Sequence, residues 1–186
     1  IVDVTTKKIV NNESQEIMQQ LETNFMDFVK TDAPDLYPEN LRTEIDALNA
    51  ILLAEINQGV YKIKGAKTQA DYEKYFHIFF NRLDQLEARL ADSRFLFGDQ
   101  LTDSDIRLYV SLARFDVAYY TTFRANRNRL IDFPNLWRYA KELYQMPAFR
   151  ETTNFDAIKK GFALNNLEEN PNQIVPLGPD TSIWDQ

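Results

Sequence analysis

Phe97-Gly98-Asp99-Gln100-Leu101-Thr102-Asp103-Ser104-Asp105-Ile106 carries the sharpest structural instruction in the chain. A helix start leaves backbone N–H groups without partners, and a Thr at the N-cap with an acidic residue three positions on can satisfy two of them. Thr102 can accept from the Asp105 N–H while the Asp105 carboxylate reaches back to the Thr102 N–H. Leu101 and Ile106 occupy the flanking staple positions. Such a cap is worth about 1 kcal/mol and reads as a folding device, not a catalytic acid. Just upstream, Phe95-Leu96-Phe97 ending in Gly98 reads as a turn over the core.

Working outward, helical periodicity dominates. Leu101 to Thr122 reads as one strong helix, and Pro134 opens another through Met146, where Pro147 breaks it. Upstream, Thr68 with Asp71 predicts a cap for a long helix whose stripe holds Tyr72, Tyr75, Phe76, Phe79, Phe80, Leu83, Leu86 and Leu90. Leu41, Ile45, Leu48, Leu52 and Ile56 mark a helix fading at Gln58-Gly59, and Lys62 to Lys67 reads as a polar loop. From Ser14, the spacing of Ile17, Leu21, Phe25 and Phe28 predicts a further helix face. Ala148 to Phe162 gives one or two short helices, and residues 165–186 read as an extended tail rich in Asn and Pro. Only Ile1 to Val10 looks like β-structure, a hairpin too small to be stable alone. The expected fold class is mainly α, a helical bundle with a β stub at its start.

Composition narrows the chemistry. The 186 residues are 44% hydrophobic with 13% aromatics, enough for a substantial core, and five glycines argue against a Gly-rich phosphate cradle. A net charge of −7 argues against nucleic acid as a partner. No apolar run is long enough for a bilayer and no leader pattern precedes the fold, so a cytoplasmic location is expected. Cysteine is absent and His77 is the one histidine, which removes thiolate chemistry and His-based metal clusters from these residues and argues against a Ser-His-Asp triad. No metal is expected. His77, between Phe76 and Ile78, reads as a packing residue, and Arg124, Arg127 and Arg129 as a solvent-facing helix end. The start on Ile1, inside a strand pattern, is expected of a fragment of a longer polypeptide.

The second informative stretch is Asn11-Asn12-Glu13-Ser14. Glu13 and Ser14 fall at a helix N-terminus, where unpaired N–H groups and the positive dipole end meet. An acidic residue and a hydroxyl there can cap the helix or hold the charged head of a small ligand.

The Phe97 to Ile106 segment resembles one found in the helical domain of soluble glutathione transferases. Phe133-Pro134-Asn135-Leu136-Trp137-Arg138-Tyr139 and Met146-Pro147-Ala148 match the same domain further on. Asn11 to Ser14, Asp35-Leu36-Tyr37-Pro38, Glu44 to Asn49, Asn57 to Lys62, Arg114-Phe115-Asp116, Tyr119 and Ile174 to Pro179 narrow the resemblance to the glutathionyl-hydroquinone reductases. These form the xi class, akin to the omega class, and the matches run in order along nearly the whole chain.

The resemblance implies a glutathione-transferase C-terminal helical domain at residues 14–164, preceded by a remnant of a thioredoxin-like domain at 1–13 and followed by a tail at 165–186. It implies glutathione as co-substrate, with Glu13 and Ser14 holding its γ-glutamyl end, and a homodimer. It also implies reduction of a glutathionyl-hydroquinone by an upstream cysteine. Tyr61 would exchange a proton with the hydroquinone, and Tyr119 would help lower the cysteine pKa. Without that cysteine, the chain alone is expected to show no such turnover. Two positions depart from the family pattern: Phe162 stands where a tyrosine is common, and Lys62-Ile63-Lys64-Gly65 replaces a more apolar loop. The alternatives are a general glutathione-conjugating transferase and a non-catalytic interaction module.

Overall fold

The computed structural model describes residues 1–186. A hairpin of β1 (Val2–Asp3) and β2 (Lys8–Ile9), paired antiparallel with Val2 opposite Ile9, precedes nine helices. These are α1 (Ser14–Asn24), α2 (Arg42–Ile51), α3 (Gly59–Gly65), α4 (Gln69–Arg89), α5 (Asp103–Arg114), α6 (Tyr120–Thr122), α7 (Pro134–Gln145), α8 (Pro147–Arg150) and α9 (Phe155–Leu164). The mainly α expectation holds. No helix is long and apolar enough to cross a membrane.

The cap that opens α5 does more than start a helix. The Thr102 N–H donates to Asp105 Oδ2 at 2.8 Å, and the Thr102 hydroxyl donates to the same oxygen at 2.9 Å. Asp105 Oδ1 accepts from the Leu96 N–H and from the Tyr139 hydroxyl, each at 2.9 Å. One fully buried carboxylate thereby joins the start of α5, the turn before it and α7. Burial pushes its pKa up, and the four donors oppose that rise. Gly98 makes the turn itself, at φ 71°.

Around this hub the apolar stripes close a single core. Phe79, Phe80, Leu83 and Leu86 of α4 pack with Val60 and Ile63 of α3, Leu108 and Leu112 of α5, and Leu136, Tyr139 and Leu143 of α7. Each such side chain contributes roughly 1.5–3 kcal/mol when fully buried. Thr68 caps α4 as expected, its hydroxyl accepting from the Asp71 N–H at 3.1 Å.

Several expected boundaries shift. The Lys62 to Lys67 segment is not a loop, because α3 runs through it to Gly65. Val60 and Ile63 are buried one turn apart and anchor it, while Lys62 donates from Nζ to the Ala54 carbonyl at 3.0 Å. Neither long helix is uniform: α2 passes into a π-helical stretch at Leu52–Asn57, and α5 into another at Phe115–Tyr119. The face expected from Ile17 to Phe28 is not a buried one. Helix α1 ends at Asn24, buries no residue fully, and leaves Phe28 84% exposed. The tail turns at residues 167–169 and 171–172, then runs without regular structure to its end, where Ser182–Trp184 forms a 3-10 turn and Trp184 is buried.

Candidate functional site

The π-helical stretches frame the principal cleft. A π turn accommodates an extra residue and rotates the helix downstream of it, and such turns recur at functional sites. Leu53 and Asn57 from the first stretch and Tyr119 from the second line a cleft of about 1220 Å³. That is large for a small-molecule pocket. Ser14, Gln15 and Met18 of α1 line one side, and Ile158, Gly161 and Phe162 of α9 another.

Tyr61 and Tyr119 meet in this cleft. Tyr61 is half-exposed on α3, whereas Tyr119 is 3% exposed. Their ring centroids lie 6.1 Å apart at 67°, an edge-to-face arrangement. Phe123 packs 5.0 Å from Tyr61 and 5.1 Å from Tyr119, and Phe162 stands edge-on to Tyr119 at 5.5 Å. Lys64 sits over the Phe123 ring at 5.0 Å and pairs with Glu169 at 3.1 Å. Burial, and then the neighbouring Tyr61, push the Tyr119 pKa well up, against the pull of Arg114. Tyr119 is therefore a protonated phenol at neutral pH, available as a donor.

Ser14 lines the cleft, and Glu13 lies outside its walls at the N-cap of α1. The Glu13 side chain makes no cap hydrogen bond. Asn11 fixes the backbone here instead: its Oδ1 accepts from the Glu13 N–H at 2.7 Å, and its Nδ2 donates to Glu16 at 3.0 Å. The structure thus brings Ser14, Tyr61 and Tyr119 to one cavity and leaves Glu13 beside it.

Sequence reasoning missed the polar wall on α5. Arg107, Ser111 and Arg114 all line the cleft, and their i, i+4, i+7 spacing was the available signal. Asn57 Nδ2 bridges to this wall, donating to the Arg107 carbonyl at 2.9 Å and to Ser111 Oγ at 2.7 Å. Behind it, Arg107 Nε donates to Asp103 Oδ2 at 2.7 Å, and Asn49 Nδ2 donates to the same oxygen at 2.8 Å. Ser104 donates to Asn49 Oδ1 at 2.7 Å. Further along, Tyr109 and Thr153 share a 2.8 Å hydrogen bond, and burial pushes the Tyr109 pKa up to about 12.

Residues 69–142 match the family described as Glutathione S-transferase, C-terminal domain. The chain is 40% identical over 177 residues to the glutathionyl-hydroquinone reductase YqjG of Escherichia coli (strain K12), covering 95% of this chain and 54% of that protein. It is 41% identical over 182 residues to the glutathione S-transferase omega-like 2 of Schizosaccharomyces pombe, covering 94% of this chain and 58% of that one. Among solved structures, the glutathione-S-transferase Xi from Phanerochaete chrysosporium superposes with a TM-score of 0.92 at 42% identity, covering 97% of this chain and 59% of that one. The chain spans a little over half the length of the curated relatives it matches.

Proposed function

The chain belongs, through its helical domain, to the glutathione transferase superfamily, and from that premise we propose that it is the helical part of a glutathione-dependent reductase of glutathionyl-hydroquinones. The observation that carries this reading is the Tyr61–Tyr119 pair in a cleft that Ser14 also lines. A hydroquinone ring needs a flat apolar slot with phenolic partners, and Tyr61, Tyr119, Phe123 and Phe162 form an aromatic group of that kind.

In the proposed reaction, a cysteine thiolate outside these 186 residues attacks the sulfur of the glutathionyl group. The carbon–sulfur bond breaks and the ring carbon takes a proton from the Tyr61 phenol. The enzyme–glutathione mixed disulfide is then attacked by a second glutathione thiolate, which returns the cysteine and releases glutathione disulfide. Tyr119, held protonated by burial, donates to the thiolate and lowers its pKa. Glu13 and Ser14 hold the γ-glutamyl end of glutathione at the start of α1, where the dipole favours its carboxylate.

Within the same reading, residues 1–13 are the end of a thioredoxin-like domain, 14–164 the helical domain and 165–186 a tail. The protein works as a cytoplasmic homodimer. One observation favours a conjugating transferase as the second reading: Phe162 contributes a ring but no hydroxyl to the cleft.

The product separates the two. Incubating the full-length protein with a glutathionyl-hydroquinone and glutathione should release free hydroquinone, seen by mass spectrometry. Tyr61→Phe should lower the rate by about 10²-fold or more, the usual contribution of a positioned acid. An intact conjugate after incubation would overturn the reductase reading.

A further inference from the structure

We propose that Arg107 forms a carboxylate-binding subsite in the cleft, its guanidinium edge taking an anionic group of the ligand. The net charge of the chain is −7, yet the cleft walls carry two arginines, Arg107 and Arg114, and no Asp or Glu. Arg107 is only 8% exposed. Its Nε is committed to Asp103 at 2.7 Å, and Asp103 is held in turn by Asn49. Neither Nη has a protein acceptor, and neither is sealed from solvent. The guanidinium is thus fixed by one edge and makes no hydrogen bond along the other, although the buried Glu22 carboxyl lies close enough to feel its charge; that open edge is the geometry that binds a planar oxyanion through paired N–H donors.

Gln15 lines the same cleft. Gln15 Nε2 is buried without a partner, one residue beyond Ser14. An amide with an unused donor at this position can turn to an acceptor that a ligand brings into the cleft. Two sources could supply the carboxylate: glutathione itself, or an acidic substituent on the aromatic ligand. This subsite rests on the reading of the cleft as a ligand pocket, and its test is separable from the hydroquinone chemistry.

Calorimetric titration of the full-length protein with hydroquinone, 2,5-dihydroxybenzoate and glutathione decides it. If the ring carries the carboxylate, 2,5-dihydroxybenzoate binds about tenfold or more tighter than hydroquinone, and Arg107→Lys abolishes the difference by losing the paired donors. If glutathione carries it, Arg107→Lys weakens glutathione by a similar factor while the two ring ligands bind alike. Arg107→Lys keeps a cation beside Asp103. Gln15→Glu, which leaves that ion pair intact, should weaken the same ligand by placing a like charge in the subsite. Equal affinities for the ring ligands together with unaltered glutathione binding in both variants would overturn the subsite and leave the hydroquinone reading standing. Carboxylate-dependent binding by a protein that ignores hydroquinone would sustain the subsite and sink the hydroquinone reading. Binding of none of the three would overturn both.

Discussion

Glu22 shows how a single side chain can make α1 sensitive to pH. Its Oε2 is buried without a partner, and Asp103 keeps a buried Oδ1 in the same condition. Burial first, then the Asp103 charge and more weakly Asp35, push the Glu22 pKa up to about 7, with Arg107 pulling the other way. A carboxyl raised from its ordinary value of 4.5 binds its proton more tightly folded than unfolded. The folded state therefore loses stability as pH rises from about 4.5 and levels off once pH passes about 7. Because the side chain is partly solvated, a discounted effect of ~1 kcal/mol, or about 2–4 °C in Tm, is expected. Thermal melts of the protein should fall across that window, and those of Glu22→Gln should fall less, the remaining slope coming from Asp105 and Asp116, whose pKa values burial also pushes up. Parallel profiles would remove Glu22 as the cause.

At the scale of elements, the end of the tail behaves as part of the bundle. Trp184 packs 4.9 Å from Trp137, 5.5 Å from Tyr144 and 5.2 Å from Phe155, so it ties α7 to α9. Gln145 Nε2 donates to its carbonyl at 2.8 Å, and Arg150 pairs with the adjacent Asp185 at 2.5 Å. Truncating a buried tryptophan costs about 3–5 kcal/mol. Trp184→Ala should show that loss in urea titration and expose the α9–tail segment to limited proteolysis. Unchanged stability would mean that the residue only covers a core already closed.

This docking was not legible in the sequence, because one tryptophan after a run of Asn and Pro has no periodicity to announce its partner. The caps at Thr68 and Thr102 were legible because their chemistry is local, a side chain reaching three residues along. The π stretches were not, since the pattern that marks an α-helix carries on through them. Tyr61, Tyr119 and Ser14 were singled out by resemblance, and folding brings all three to one cleft. Arg107 was overlooked because the network that fixes it runs through Asp103 to Asn49 on α2, a link that folding alone creates.

Across the whole molecule, stability is distributed unevenly, and the division runs beside the cleft. The α4, α5 and α7 helices hold the shared core, while α1 buries no residue fully and the hairpin exposes Val2, Val4, Ile9 and Val10. Segments with few buried contacts open locally at far lower cost than the global unfolding free energy. Amide exchange should therefore be on the order of a hundredfold faster in α1 than in the centres of α4 and α5. Helix α1 also contributes Ser14, Gln15 and Met18 to the cleft that Arg107 and Arg114 of α5 line. A ligand that touches both walls binds only the docked form of α1, so it should slow exchange there selectively. At a hundredfold excess over Kd, linkage predicts ~2.7 kcal/mol of added protection, again close to a hundredfold. Hydrogen exchange with and without glutathione measures it. Equal protection of α1 and α4 in the free protein would sink the uneven-stability argument. Uniform slowing on adding glutathione would instead sink the claim that its site spans the two walls.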